Sequence, residues 1–108
     1  MTIDVNFFEN LSDDLKRTVS DASKAIMDVY ERNTFDTEIK SDGSPVTEAD
    51  ENANKIIIQS LSLASPDISI VSEETFDKSS VIPREPYWLV DPLDGTKEFI
   101  NKSKDFTV

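Results

Sequence analysis

Asp91 and Asp94 flank Pro92-Leu93 and run directly into Gly95-Thr96-Lys97-Glu98-Phe99. The run follows Tyr87-Trp88-Leu89-Val90, an apolar segment that predicts a short buried strand. Two carboxylates at the end of such a strand repel each other and resist desolvation, so they need a cation or a cationic side chain beside them. The chain contains no histidine and no cysteine. A metal bound here would therefore be held by oxygen alone, which suits a hard ion: Mg²⁺ first, then Mn²⁺ or Ca²⁺. Pro92 fixes one φ and removes a donor in the turn between the aspartates, and Gly95 permits close backbone approach. A helical turn starting near Asp94 to Thr96 would present free N–H groups that suit a phosphate.

Two more acidic sites fall at element ends, Asp50 and the pair Glu73-Glu74. Ile68-Ser69-Ile70-Val71 predicts a strand that stops at Ser72-Glu73-Glu74-Thr75. Both strands thus deliver acids at their C-terminal ends, the edge where ligands collect in α/β sheets. If the strands are neighbours, Glu73, Asp91 and Asp94 can converge on one or two cations. Taken singly, each acid has a plainer reading: Asp94 as a helix N-cap, Asp50 as a solvated first-turn acid, Glu73-Glu74 as exposed loop charge. Lys40 could attract a phosphate, although a solvated lysine is the more ordinary reading, and Lys97 reads as a surface residue.

The elements that must position these groups are visible in the pattern. Residues 4–32 predict one long amphipathic helix, with Phe8, Leu11, Leu15, Val19, Ala22, Ile26 and Val29 along one face and Arg32-Asn33 as its stop. The pair Phe7-Phe8 reads as core packing. Phe35 to Lys40 predicts a strand, and Asp42-Gly43 a turn that would make it one arm of a hairpin. A second helix is expected from Thr47 as N-cap, with Glu48, Asp50 and Glu51 in its first turn and Ala49, Ala53, Ile56, Ile57, Leu61 and Ala64 as its apolar stripe. Pro66-Asp67 ends it, and 76–86 reads as a loop. Phe106-Thr107-Val108 reads as the opening of a further strand, so residues 1–108 are expected to be the N-terminal portion of a larger domain.

Composition narrows the partners. At 108 residues, 37% hydrophobic and 31% charged, the chain fits a globular domain with a modest core. Its net charge of −11 repels nucleic-acid backbones and also phosphorylated small molecules, unless bound cations intervene. No apolar stretch reaches membrane-spanning length, and with Asp4 and Glu9 early and no basic n-region no secretory leader is expected. The absence of cysteine is compatible with the cytoplasm, the expected compartment, with peripheral attachment at the inner membrane as an alternative. Oligomeric state is not legible.

Asp91-Pro92-Leu93-Asp94-Gly95-Thr96 resembles the signature of the lithium-sensitive, Mg²⁺-dependent phosphomonoesterases, the inositol monophosphatase superfamily. Ser44-Pro45-Val46-Thr47-Glu48-Ala49-Asp50 and Ser72-Glu73-Glu74-Thr75 match further family segments in the right order. Lys97-Glu98-Phe99 resembles the 3′(2′),5′-bisphosphate nucleotidase branch. The resemblance implies an α/β fold, the N-terminal part of a layered αβαβα sugar-phosphatase fold: long helix, hairpin, second helix, then sheet strands. It implies that Glu73, Asp91, the Leu93 carbonyl and Asp94 bind two or more Mg²⁺ ions, with Asp91 bridging. Glu73 would also orient the attacking water, Thr96 would pair with Asp50 to take its proton, and Glu74 would support the metal site. Gly95 and Thr96 would offer N–H groups to the phosphate, on a substrate-binding side that includes Glu73, Leu93 and Asp94. One cation would lower the pKa of water and another stabilise the leaving oxygen.

The implied substrate is a 3′-phosphorylated nucleotide such as adenosine 3′,5′-bisphosphate or its sulfated form. An inositol phosphate or other sugar phosphate is the alternative, and a non-catalytic metal- or partner-binding piece is a third reading. Family members are more than twice this length, and the remainder would supply a further metal-binding aspartate and most contacts to sugar or base. The chain alone is therefore expected to be inactive or nearly so, and prone to self-association.

Overall fold

A computed structural model describes residues 3–32, 34–76 and 79–108. Its elements follow in the order α1 (Val5–Tyr30), β1 (Thr37–Ile39), β2 (Pro45–Thr47), α2 (Glu48–Ala64), β3 (Ser69–Ser72), β4 (Tyr87–Val90) and α3 (Thr96–Ile100). Asp4 caps α1 by accepting from the Phe7 N–H at 3.0 Å. Asn33, expected as part of the stop of α1, lies outside the described residues.

The two long helices pack on each other and form most of the core. Ala22, Ile26 and Val29 of α1 meet Ala49, Ala53, Ile57 and Leu61 of α2, with Val90, Leu93 and Phe99 completing the cluster. Three of these are alanines, which lets the helix backbones approach closely. The expected stripe of α1 is not continuous, however. Phe8 and Val19 are each 50% exposed, and Thr18 is buried instead, its Oγ1 donating to the Asp14 carbonyl at 2.8 Å. Phe7 and Phe8 pack edge to face on one another at 5.5 Å and not into the core. The reason is reach: the buried residues of α1 begin only at Leu11.

The hairpin forms as expected. β1 and β2 pair antiparallel with Glu38 opposite Val46, and Gly43 turns the chain at φ +87° while Asp42 Oδ1 accepts from both the Ser44 N–H and hydroxyl. β3 and β4 pair in parallel, Ser72 opposite Val90, and residues 73–86 make the connection. Both strands therefore end on the same edge. Ile70 and Trp88 pack against the core, and Trp88 Nε1 donates to Ser65 Oγ at 2.9 Å. The opposite face is open: Leu89 is 76% exposed. β4 is thus buried only at Val90, not throughout as its composition suggested, because the two-stranded sheet is covered on one side.

Phe106–Val108 does not extend a strand. It makes a single two-way bridge, Thr107 N–H to Asp94 O at 3.0 Å and Asp94 N–H to Thr107 O at 2.8 Å. Beside it, Phe99 stands at the centre of an aromatic cluster with Tyr30, Phe35 and Phe106 at centroid distances of 5.3–5.5 Å. The Lys102 ammonium lies 4.4 Å over the Tyr30 ring and donates to the Tyr30 and Arg32 carbonyls. A cation there satisfies carbonyls at the end of α1 and complements its dipole. Among the described residues, no helix is long and apolar enough to cross a membrane.

Candidate active site

Each acid of the site owes its position to a local feature of the chain. Asp50 sits in the first turn of α2, where Thr47 and Asp50 form a reciprocal capping box. Its Oδ2 accepts from the Thr47 N–H at 2.9 Å and the Thr47 hydroxyl at 2.6 Å. Its Oδ1 accepts from the Thr96 hydroxyl at 2.8 Å. The carboxylate is wholly buried, so it lies behind Thr96 and would reach a ligand only through that hydroxyl.

Glu73 and Asp91 follow the last residues of the paired strands β3 and β4, and the Glu73 N–H donates to the Val90 carbonyl at 3.0 Å. The parallel register thereby places them side by side, with Glu73 within hydrogen-bonding reach of Asp91. Burial, then the Glu73 hydrogen bond, then the charges of Glu73 and Asp94 push the Asp91 carboxyl up to about 6, against a backbone bond at Leu93 that pulls it down. Asp91 Oδ1 is buried and has no hydrogen-bond partner among the described residues. An orphaned carboxylate oxygen is costly to bury and is the kind of atom a bound cation satisfies.

Asp94 is exposed, and its backbone is pinned by the Thr107 bridge. Gly95 follows at φ +96°, in the left-handed region. A Cβ there would stand 2.8 Å from the Asp105 carbonyl and 3.2 Å from Phe106. The close approach expected at Gly95 is therefore made, in this structure, by the chain's own 105–106 segment. α3 then starts at Thr96, as the helical turn expected here requires.

Glu73, Asp91, Leu93, Asp94, Gly95 and Thr96 all line one cleft of about 220 Å³, with Lys40 and Glu74 on its wall. Lys40 is not the solvated lysine of the plainer reading. Its ammonium donates to Glu74 Oε1 at 3.1 Å, and both side chains are largely covered. Burial disfavours the Lys40 ammonium, but the Glu74 bond and the charges of Glu74, Glu73 and Asp50 outweigh it and raise its pKa. Burial also raises Glu74, with Lys40 acting in the other direction and Asp50 and Asp91 adding to the rise. The two partners pull opposite ways on the pair, as expected where desolvation nearly cancels attraction.

The donor set fits a hard cation: oxygen ligands only, an orphaned Asp91 oxygen, and Glu73 alongside. Among the described residues, no three acidic, histidine or cysteine side chains form a ready-made cage. An ion here would complete its shell with water or substrate oxygens, as Mg²⁺ commonly does. Sequence reasoning missed the roles of Ser72 and Asn54 behind this cleft, buried and hydrogen-bonded to each other. Their signal is that buried polar residues interrupt an apolar pattern, which becomes visible only when burial is known.

Residues 9–108 match the Inositol monophosphatase family. Among similar proteins, the 3'(2'),5'-bisphosphate nucleotidase CysQ of Buchnera aphidicola is 40% identical over 113 residues, covering 96% of this chain and 43% of that protein. The protein of the same name in Escherichia coli K12 is 43% identical over 98 residues, covering 89% of the chain and 40% of the relative. Among solved structures, the extragenic suppressor protein suhB of Bartonella henselae superposes with a TM-score of 0.74 at 27% identity, over 89% of this chain and 37% of that one. The chain thus spans about two fifths of the length of the relatives it matches. Over that span the order of helix, hairpin, helix and strands is shared, and the chain belongs to the inositol monophosphatase family.

Proposed function

We propose that the protein is a Mg²⁺-dependent phosphomonoesterase that removes the 3′-phosphate of adenosine 3′,5′-bisphosphate or its sulfated form. The observation that carries the reading is the Thr96–Asp50 hydrogen bond of 2.8 Å, set at the edge where Glu73 and Asp91 adjoin. Likeness to relatives named 3'(2'),5'-bisphosphate nucleotidase supports the substrate.

Glu73, Asp91, the Leu93 carbonyl and Asp94 would hold the metal. Bound there, Mg²⁺ would supply the positive charge that a phosphate needs near a chain of net charge −11, and would acidify a water. The remaining work falls to the chain's own groups. Glu73 orients the attacking water by accepting one of its protons as a hydrogen bond. That water transfers its other proton toward Thr96 Oγ1 as the Thr96 proton passes to Asp50 Oδ1. Asp50 suits this role because Thr47 already occupies its Oδ2, leaving Oδ1 aimed at Thr96. The Gly95 and Thr96 N–H groups orient the phosphate, and as the new P–O bond forms the bond to the 3′-oxygen breaks, the departing alkoxide taking a proton from a second water to leave as the 3′-alcohol. The absence of cysteine fits a reducing compartment, and we place the protein in the cytoplasm. Nothing among the described residues supports peripheral membrane attachment.

The test compares phosphate release from adenosine 3′,5′-bisphosphate and from inositol 1-phosphate, with and without Mg²⁺, for the full-length protein and its Asp91→Asn variant, since the 108-residue chain alone, about two fifths of its relatives' length, is expected to turn over little or nothing. Mg²⁺-dependent release favouring the nucleotide and lost in Asp91→Asn is expected. Preference for the inositol phosphate would move the protein to the other branch. Because the chain spans about two fifths of the length of its relatives, a non-catalytic metal-binding role is the second reading. Calorimetric Mg²⁺ binding without turnover of either substrate would favour it.

A further inference from the structure

Helix α2 presents two buried polar residues one turn apart, Asp50 and Asn54, within a stripe otherwise made of Ala49, Ala53, Ile57 and Leu61. Asp50 holds the turn that leaves β4, through Thr96. Asn54 holds the turn that leaves β3: its Oδ1 accepts from the Ser72 hydroxyl at 2.5 Å. Ser72 is 1% exposed, and its Oγ accepts in turn from the Glu74 N–H at 3.3 Å. Both acidic turns are therefore tied to one rigid helix, at points about 6 Å apart along its axis. A leucine at position 54 would extend the apolar stripe, but it would leave the buried Ser72 hydroxyl without its acceptor. The asparagine therefore acts together with Ser72, as one tie between α2 and the turn that follows β3.

We infer that Asn54 is a positioning residue which, through Ser72, sets the Glu73 turn against α2 at a fixed distance from the Asp91–Thr96 turn. The inference rests on the metal-binding reading of Glu73 and Asp91. Asn54 itself touches neither ligand nor reacting atoms. Its effect reaches the cleft through the Ser72 hydroxyl and the backbone of Glu73 and Glu74.

The variants Asn54→Leu and Ser72→Ala break the same hydrogen bond from opposite ends, the first without opening a cavity, and Ile57→Val is a mild core change in the same helix. Amide hydrogen exchange is measured first, on the metal-free chain. Both test variants are expected to speed exchange at the Glu74 N–H by about tenfold or more, leaving the Asp94 and Phe99 amides as in the wild type. Mn²⁺ alone is then titrated calorimetrically. Both variants are expected to weaken its binding by about tenfold or more, whereas Ile57→Val lowers the melting temperature without changing Mn²⁺ affinity. Unchanged exchange at Glu74, or equal loss of protection at all three amides, would overturn the inference. So would local loosening with Mn²⁺ affinity intact in both variants. A wild-type chain that binds no Mn²⁺ sinks the metal reading, and the positioning role with it, even if exchange shows that Asn54 still ties down the turn.

Discussion

Asp50 and Asp91 serve the same cleft and are treated in opposite ways. Asp50 is fully buried and accepts three hydrogen bonds, from the Thr47 N–H, the Thr47 hydroxyl and the Thr96 hydroxyl. Asp91 is crowded by Glu73 and Asp94, and its Oδ1 has no partner among the described residues. One carboxylate is completed by the chain itself, while the other is left incomplete. The difference teaches where structure ends and ligand binding begins. A satisfied buried acid contributes to the fold, and an unsatisfied one destabilises the fold until a cation arrives.

That contrast sets the order of expected effects. Asp50→Ala strands the two buried Thr47 donors and takes the acceptor from the half-buried Thr96 hydroxyl, and should lower unfolding free energy by about 3 kcal/mol in urea titrations. A loss below about 1 kcal/mol would mean that Asp50 is not the anchor its bonds indicate. Gly95→Ala tests the turn that joins the two regions. Its φ of +96° and the 2.8 Å approach of the Asp105 carbonyl should together remove about 2 kcal/mol, read from the same titrations.

Asp91→Asn should act in the other direction. Asp91 has its pKa raised from 3.8 to about 6 in the folded chain. Its contribution to stability is therefore fully present below about pH 4 and lost as pH rises through about 6. Replacing it should stabilise the metal-free protein by about 1 kcal/mol above pH 7, after allowance for solvent screening. The gain should vanish below pH 4, and Mg²⁺ binding by calorimetry should be abolished. A variant that is destabilised at pH 7 would refute the view of Asp91 as an incomplete group. The smallest change is expected for the paired replacement Lys40→Met with Glu74→Met, which removes both charges at once. Desolvation and attraction nearly cancel in the Lys40–Glu74 pair, so thermal unfolding should show a loss of about 0.5–1 kcal/mol.

The secondary structure was legible wherever a short-range rule governs it. The Thr47 cap, the acidic first turn of α2 and the Asp42-Gly43 turn follow from contacts within a few residues, and the two strands that end in acids from their own β-branched and apolar composition. The failures were those of burial. Phe8, Val19 and Leu89 read as core residues and are exposed, while Thr18, Asn54 and Ser72 are polar and buried. Periodicity reports which residues share a face, and not how far the neighbouring element reaches along that face.

The candidate site divides along the same line. Asp91, Asp94, Gly95 and Thr96 are close in the chain, so their grouping was visible as soon as the run was read. The addition of Glu73 depended on β3 and β4 being neighbours in parallel register, and that of Asp50 on a bond spanning 46 residues. Lys40 offered no local sign that it would meet Glu74, which is 34 residues away.

By itself, the amino-acid sequence determined the donor chemistry of this protein: oxygen ligands without histidine or cysteine, on a strongly acidic chain, at the ends of short strands. Only the tertiary structure decided which of those oxygens are completed and which stay open. Donor type belongs to a residue, whereas satisfaction of a buried group depends on what distant segments bring to within about 3 Å of it.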